Sequence, residues 1–371
     1  MAEQLTYDSY TVGWICVLGS ELCAARALLD EEHEPLPPKE IDYNNYFLGK
    51  MANHNVVIVY PGTKDIKSTA QASRTFPNIR FALMVGIGSG VPNSPNPDPR
   101  KDIRLGDVVV GAPRNGLASV IQYYAVRVAG EPNITVKTRT CHPPNVLIKA
   151  IRHLDLDHGF GKGKMWADID HVVNLGVPAL EDAGYPGVEH DQLFNPNYQH
   201  SAGEDCSSCD VAQIENRVAR KTTRSVVHLG SIASGIVNMR SLIHRDPPPG
   251  SGKSVLGIDR EFSGLLHTFP SVLIKGVCDY GDSHKYDAWR RYTAIAAAAY
   301  AKDLLRVIHP QEVELTPLPK PTEPSNASQA SSDTQAMGNG AGVGLSLGAN
   351  RLQIKNENTQ ADVKILRAES I

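Results

Sequence analysis

The sequence predicts an α/β domain built on parallel strands. Three observations carry that reading: short apolar runs bounded by Gly or Asp, intervals between them long enough for helices, and an Ala-rich helical stretch closing the series. Thr11 to Leu18 reads as a buried strand, and Glu21 to Leu29 (ELCAARALL) as a helix opened by Ser20 as N-cap. Further strands are expected at Val56–Tyr60, Phe81–Val85, Asp107–Val110, Ser225–Ile232 and Val272–Val277. Ala288 to Val307 has few helix breakers and should pack across the sheet. Beyond His309-Pro310 the composition turns to Pro, Thr, Ser, Asn and Gly, with little to bury. We therefore expect one domain over 1–310 and a linker with a largely disordered tail over 311–371. The end of that tail, GVGLSLGANRLQIKNENTQADVKIL, regains alternating apolar residues and could form strands on self-association or with a partner. Pro-rich 92–100 and polar 186–222 read as loops or excursions of the kind that frame sites.

Composition bounds the function. The 371 residues are 41% apolar and 21% charged, ordinary for a globular protein. Lys plus Arg number 37 against 40 Asp plus Glu, so a net charge of -3 gives no reason to expect nucleic acid or an anionic membrane. No run approaches the roughly 18 apolar residues of a membrane span, and the start MAEQLTYDSY lacks signal-peptide character, so a cytoplasmic protein is expected. The Asn133 sequon is discounted on the same ground. The six cysteines fit reduced thiols better than a disulfide scaffold. Cys206 and Cys209 form a CxxC that would be half of a zinc site, but no second pair exists, and Cys141-His142 offers no recognised spacing. We expect no metal and no cofactor.

The chemistry concentrates in a few segments. In IKGVCDYGDSH, Asp279 and Asp282 follow a buried strand, and ligands of open α/β sheets collect at the carboxyl ends of such strands. The alternative is that Asp279 caps a turn. MVGIGSGVP places Gly86, Gly88, Ser89 and Gly90 after another strand, where backbone can approach a ligand. It does not meet GxGxxG spacing, and GSGKS at 250–254 has Pro247 where a P-loop needs its first glycine.

Taken together, Glu21 after the first strand, Gly86-Ile87-Gly88-Ser89-Gly90, LGDVVVG at 105–111, SIASG at 231–235, Glu261 in DREFSGL and VCDYGD at 277–282 resemble the purine nucleoside phosphorylase/nucleosidase superfamily. The similarity runs from about Tyr10 to Ile308 and is strongest to a nucleosidase-like domain of fungi, with kinship to methylthioadenosine/S-adenosylhomocysteine nucleosidases. The resemblance implies a three-layer α/β/α sandwich with a central mixed sheet. It also implies N-ribosyl hydrolase activity on a purine, adenine by family weight, in adenosine or ATP. Asp279 would be the acid toward N7 of the base, and Glu21 would position the attacking water. Glu261 would hold the ribose hydroxyls, with Arg260 where relatives carry Met. Gly86, Gly88, Ser89, Asn238, Met239 and Cys278 would line the substrate, and Asp282 reads as a structural acceptor. Protonating the leaving base is the physical rationale, because glycosidic cleavage leaves negative charge on it.

Hexameric phosphorylases carry an arginine two residues before the glycine loop, where this chain has Met84, which favours water as nucleophile. Lys64, Lys67 and Arg74 keep phosphorolysis, or a 5′-phosphorylated substrate, open. Glu21 and Glu261 each have a plainer reading as helix-start carboxylates. A non-catalytic nucleoside-sensing module is the other class of answer, because YYAVRV at 123–128 departs from the relatives' pattern. The superfamily also implies a homo-oligomer.

Overall fold

The computed structural model describes residues 5–39, 42–61, 71–92, 96–114, 116–127, 134–201, 203, 206–235, 255–261, 269–284, 287–319, 351–357 and 360–366. Strand β1 (Val12–Ile15) is buried throughout and lies between β4 (His54–Pro61) and β5 (Phe81–Gly90), parallel to both. β11 (Ser271–Asp279) continues the parallel set on the far side of β5. These strands are largely apolar because the interior of the sheet is buried on both faces. The sheet then becomes mixed: β6 (Val108–Gly111) runs antiparallel to β11, and β9 (Val227–Gly235) runs parallel to β6. β7 (Val120–Arg127) and β8 (Ile134–Cys141) extend that edge, while β3 (Asn44–Met51) and β2 (Glu31–His33) form an antiparallel meander on β4.

β10 (Val255–Asp259) matters most for the site. It pairs antiparallel with β5 and parallel with β9, so that β5, β11, β6, β9 and β10 close into a ring of pairings. Closure brings residues distant in sequence to one end of β5.

Among the described residues the helices are α1 (Gly19–Ala27), α2 (Ala72–Thr75), α3 (Asn145–Gly159), α4 (Met165–Asn174), α5 (Ala288–Arg306) and α6 (Pro310–Glu314). α5 lies on β5, β6 and β11, and α1, α3 and α4 pack around it. Its run of alanines lets it sit close: a Cβ on Gly276 of β11 would stand 2.1 Å from the Thr293 carbonyl oxygen. Ser20, expected as N-cap, falls inside the first turn, and the helix begins after Leu18. Capping comes instead from Glu21, which accepts from the Leu18 N–H at 2.9 Å. Two segments of the tail pair as an antiparallel hairpin, β12 (Arg351–Glu357) and β13 (Gln360–Leu366), and β13 joins β8 of the same chain. No helix among the described residues is long and apolar enough to cross a membrane.

Candidate active site

Glu21 is the hub of the site. It is 2% exposed, and its carboxylate accepts three backbone N–H groups: Val17 at 2.8 Å, Leu18 at 2.9 Å and Ile87 at 2.8 Å. The first two belong to the β1–α1 turn and the third to β5, so one side chain fastens the first helix to the glycine-rich strand. A carboxylate has about four lone-pair sites, and donors among the described residues take three of them. Gly86 is required here by space alone, since a Cβ would lie 2.2 Å from Glu21 Oε1. Gly88 likewise makes room for protein, with a Cβ falling 2.9 Å from the Ile258 carbonyl oxygen. Both glycines were expected to admit a ligand; the structure shows them admitting Glu21 and β10.

Beside Glu21 stands a buried lysine. Lys275, 2% exposed in the middle of β11, lies opposite Gly86 in register. Its Nζ sits 2.7 Å from Asp259 Oδ1 and 3.4 Å from Glu261 Oε2, and donates to the Ile87 carbonyl at 3.2 Å. Asp259 also accepts from Ser234 Oγ at 2.8 Å. Burial alone would strip the proton from Lys275, but Asp259, Glu261 and Glu21 hold it and raise its pKa. Three carboxylates thus surround one ammonium. The excess negative charge has a consequence for Glu21: burial first, and Glu261 second, push its pKa up to about 7 against the pull of Lys275.

Asp279 ends β11 one level further along, opposite Ser89. The pairing slips between Val277 and Asp279, a bulge that sets two residues of β11 against one of β5 and re-aims the strand end. Asp279 is half-buried; Oδ1 accepts from the Gly281 N–H at 2.7 Å and Oδ2 from the Cys278 thiol at 3.5 Å. The turn reading of Asp279 is therefore also real, with Gly281 at φ 68° packed on Ser89. Tyr280 anchors the turn from behind: its hydroxyl donates to Asp191 and accepts from Arg217 at 2.7 Å. Asp282 accepts from the His284 N–H at 2.9 Å, a structural contact as expected.

The structure brings Glu21, Gly86, Glu261, Gly88, Ser89, Cys278 and Asp279 to one end of the ring. Arg260 is exposed, while Asp259 and Glu261 on either side of it turn toward Lys275, so it is not brought to this cluster. Arg74, on α2, is exposed. Lys64, Lys67, Asn238 and Met239 lie outside the described residues. Sequence reasoning missed Asp259 and Lys275. A lysine inside the apolar run VLIKGV was the available signal, because a buried ammonium demands carboxylate partners. It also sought partners for Cys206 and Cys209 at Cys141-His142, whereas the side chains gathered near Cys209 are His200 and His284.

No protein-family model matches the chain. Over 321 residues it is 36% identical to a nucleotide-binding leucine-rich repeat (NLR)-like protein of Hyaloscypha variabilis. That match covers 84% of this chain and 30% of the relative, so the chain spans under a third of the relative's length. Among solved structures it is similar to the futalosine hydrolase of Helicobacter pylori, with a TM-score of 0.46 and 10% identity over 81% of this chain and 98% of that one. It is similar to the 5′-methylthioadenosine/S-adenosylhomocysteine nucleosidase of Neisseria meningitidis in complex with methylthio-immucillin-A, at 0.45 and 15% over 80% and 98%. A putative nucleosidase of the same name from Borrelia burgdorferi, bound to adenine, gives 0.47 and 12% over 80% and 100%.

Proposed function

We propose that this domain hydrolyses the N-glycosidic bond of a purine nucleoside or nucleotide, with water as the nucleophile. The observation that carries the reading is the charge of the cluster: Asp259, Glu261 and Glu21 crowd the buried cation Lys275. A pocket with surplus carboxylate stabilises the positive charge that develops on a ribosyl ring as its bond to the base breaks. The same surplus opposes entry of a phosphate dianion, which needs unpaired cationic donors.

The two ends of the site divide the work. Gly86 and Ser89 are three residues apart on β5, about 10 Å of extended chain, with Glu21, Glu261 and Lys275 at the first level and Asp279 at the second. A ribose bound across the first level would place its hydroxyls on Glu261 and a water on the remaining lone pair of Glu21. The base would then reach Asp279, which donates a proton as the bond breaks, while Glu21 takes one from the water. Each proton transfer of this kind contributes typically 10²–10⁴-fold. Adenine as the base, and adenosine or ATP as the substrate, follow from the sequence resemblance. A homo-oligomer working in the cytoplasm is proposed on the same ground.

The test is chromatographic detection of free base from adenosine, methylthioadenosine, inosine, AMP and ATP, each with and without inorganic phosphate. Release without phosphate is the expected result. Strict dependence on phosphate would replace hydrolysis by phosphorolysis. The likeness to an NLR-like protein favours one second reading, a sensing module that binds nucleoside without turnover. Saturable adenosine binding in calorimetry, with no base released from any substrate, would establish it.

A further inference from the structure

We propose that Cys206, Cys209, His200 and His284 form a four-ligand site for zinc, which staples the polar excursion to the turn that carries Asp279. Cys206 opens a 3-10 turn, Cys206–Ser208, Cys209 follows it with its N–H bonded to the Cys206 carbonyl at 3.1 Å, and the two cysteines are buried at 8% and 7% exposure. His200 Nδ1 is 3.3 Å from Cys209 Sγ and 3.8 Å from Cys206 Sγ. The ligand atoms of His200, Cys209 and His284 all lie within 4.8 Å of one another. Around a tetrahedral zinc with Zn–S of about 2.3 Å and Zn–N of about 2.0–2.1 Å, neighbouring ligand atoms stand about 3.3–3.8 Å apart. His200 with the two thiols already stands at that figure, and ligation would draw Cys206 and His284 the rest of the way in.

The outer contacts orient both imidazoles as a metal site requires. His200 Nε2 faces the Gly203 carbonyl at 3.2 Å, so its hydrogen belongs there and the lone pair of Nδ1 points at the thiols. His284 Nδ1 is 3.2 Å from Asp282 Oδ2, a carboxylate against the ring of the kind that orients metal-bound histidines. The His284 ring is held flat by stacking on Phe194 at 4.1 Å and on Tyr198 at 5.6 Å. Two thiolates and two imidazoles suit zinc; hard cations that prefer oxygen are excluded by the donor set.

Arg217 and Arg220 tie the later part of the excursion to the sheet through Asp102 and Asp107, whereas around the ligands its own core is small: Phe194, Cys206 and Cys209 with Tyr198 and Ile214 against them. Thiolate ligation supplies free energy that a core of this size cannot. The His200 N–H donates to Ser283 Oγ at 2.9 Å, so excursion and strand-end turn already meet beside the ligands.

The full chain, purified without chelator and without an affinity tag that binds metal, should carry about one zinc per chain by elemental mass spectrometry. Cys206→Ser with Cys209→Ser should drop that to near zero and lower the melting temperature, and a chelator should lower it for the wild type but not for the double variant. Because the double variant could fail to fold, cobalt substitution of the wild type gives a second reading. Thiolate-to-cobalt charge transfer with intense tetrahedral d–d bands is expected. A wild-type chain that holds no zinc as purified, takes up none after reduction, and shows no cobalt spectrum overturns the site. These readouts are independent of base release, so they stand or fall apart from the proposed activity.

Discussion

At the residue scale the decisive question is whether each carboxylate acts on a substrate or on the fold. Among the described residues the side-chain hydrogen bonds of Asp279 are local, to the Gly281 N–H and the Cys278 thiol. Asp279→Asn should therefore cut base release by roughly 10²–10⁴-fold while leaving the melting temperature within a degree or two, and a fully active variant would remove the acid. Glu21 serves both purposes. Its pKa of about 7, raised by burial and by Glu261, predicts that activity climbs as pH rises through 7, when the carboxylate becomes a base. Glu21→Gln should flatten that limb in a pH–rate profile and slow release at least 10²-fold. It should also melt earlier, because an amide turns an –NH2 toward backbone donors that need an acceptor. A wild-type profile flat from pH 5 to 9 would count against Glu21 as the base. Asp279, Glu261 and Glu21 were legible in the sequence because strand ends and motif order mark them. Asp259 and Lys275 were not, since their meaning lies in a pairing across 16 residues that only ring closure creates.

At the scale of elements, the site depends on how closely α5 lies on β11. Gly276 has Thr293 backbone and side-chain atoms at 2.1–2.8 Å from where a Cβ would go, so Gly276→Ala must lift the helix or bend the strand. Overpacking of this kind costs typically 1–3 kcal/mol, and here it acts one residue from Lys275. We expect a melting temperature lower by several degrees together with a loss of activity, measured by calorimetry and base release on the same sample. A variant as stable as wild type would mean that the contact is slack. The interior strands β1, β4, β5, β6, β9 and β11 were each anticipated, because strands buried on both faces read as unbroken apolar runs. β2, β3, β7, β8 and β10 were not. Edge strands such as Glu31–His33 are short and polar, and β10 follows a Pro- and Gly-rich approach that hides it. β10 is also the strand that closes the ring, so the part of the fold least visible in sequence is the part that assembles the site.

For the molecule as a whole, the polar excursion is held to the sheet by buried ion pairs. Arg217 bonds Asp102 at 2.8 Å and Asp191 at 3.3 Å, and Arg220 grips both oxygens of Asp107 at 2.6 Å. Asp107, fully buried at the head of β6, also accepts from His228 Nε2 at 2.8 Å and from the backbone N–H groups of Val226 and Arg104, each at 2.9 Å. Burial alone would raise its pKa, but Arg220 and His228 outweigh it and lower the group to about 2. A carboxylate depressed in the folded state contributes stability that is complete above the unfolded value near 4 and disappears as pH falls toward 2. The gap from 3.8 to about 2 is worth roughly 2 kcal/mol. Asp107→Asn should cost about 3–5 kcal/mol at pH 7, because it leaves Arg220 buried without its partner. Since the variant lacks the titrating group, the difference in melting temperature between it and the wild type should be constant from pH 8 to 5 and shrink between pH 4 and 2. If the difference holds constant down to the lowest pH at which both fold, Asp107 titrates at its ordinary value and the acid lability of the domain must come from other carboxylates, with buried Asp303, also held below the usual range, the next to replace.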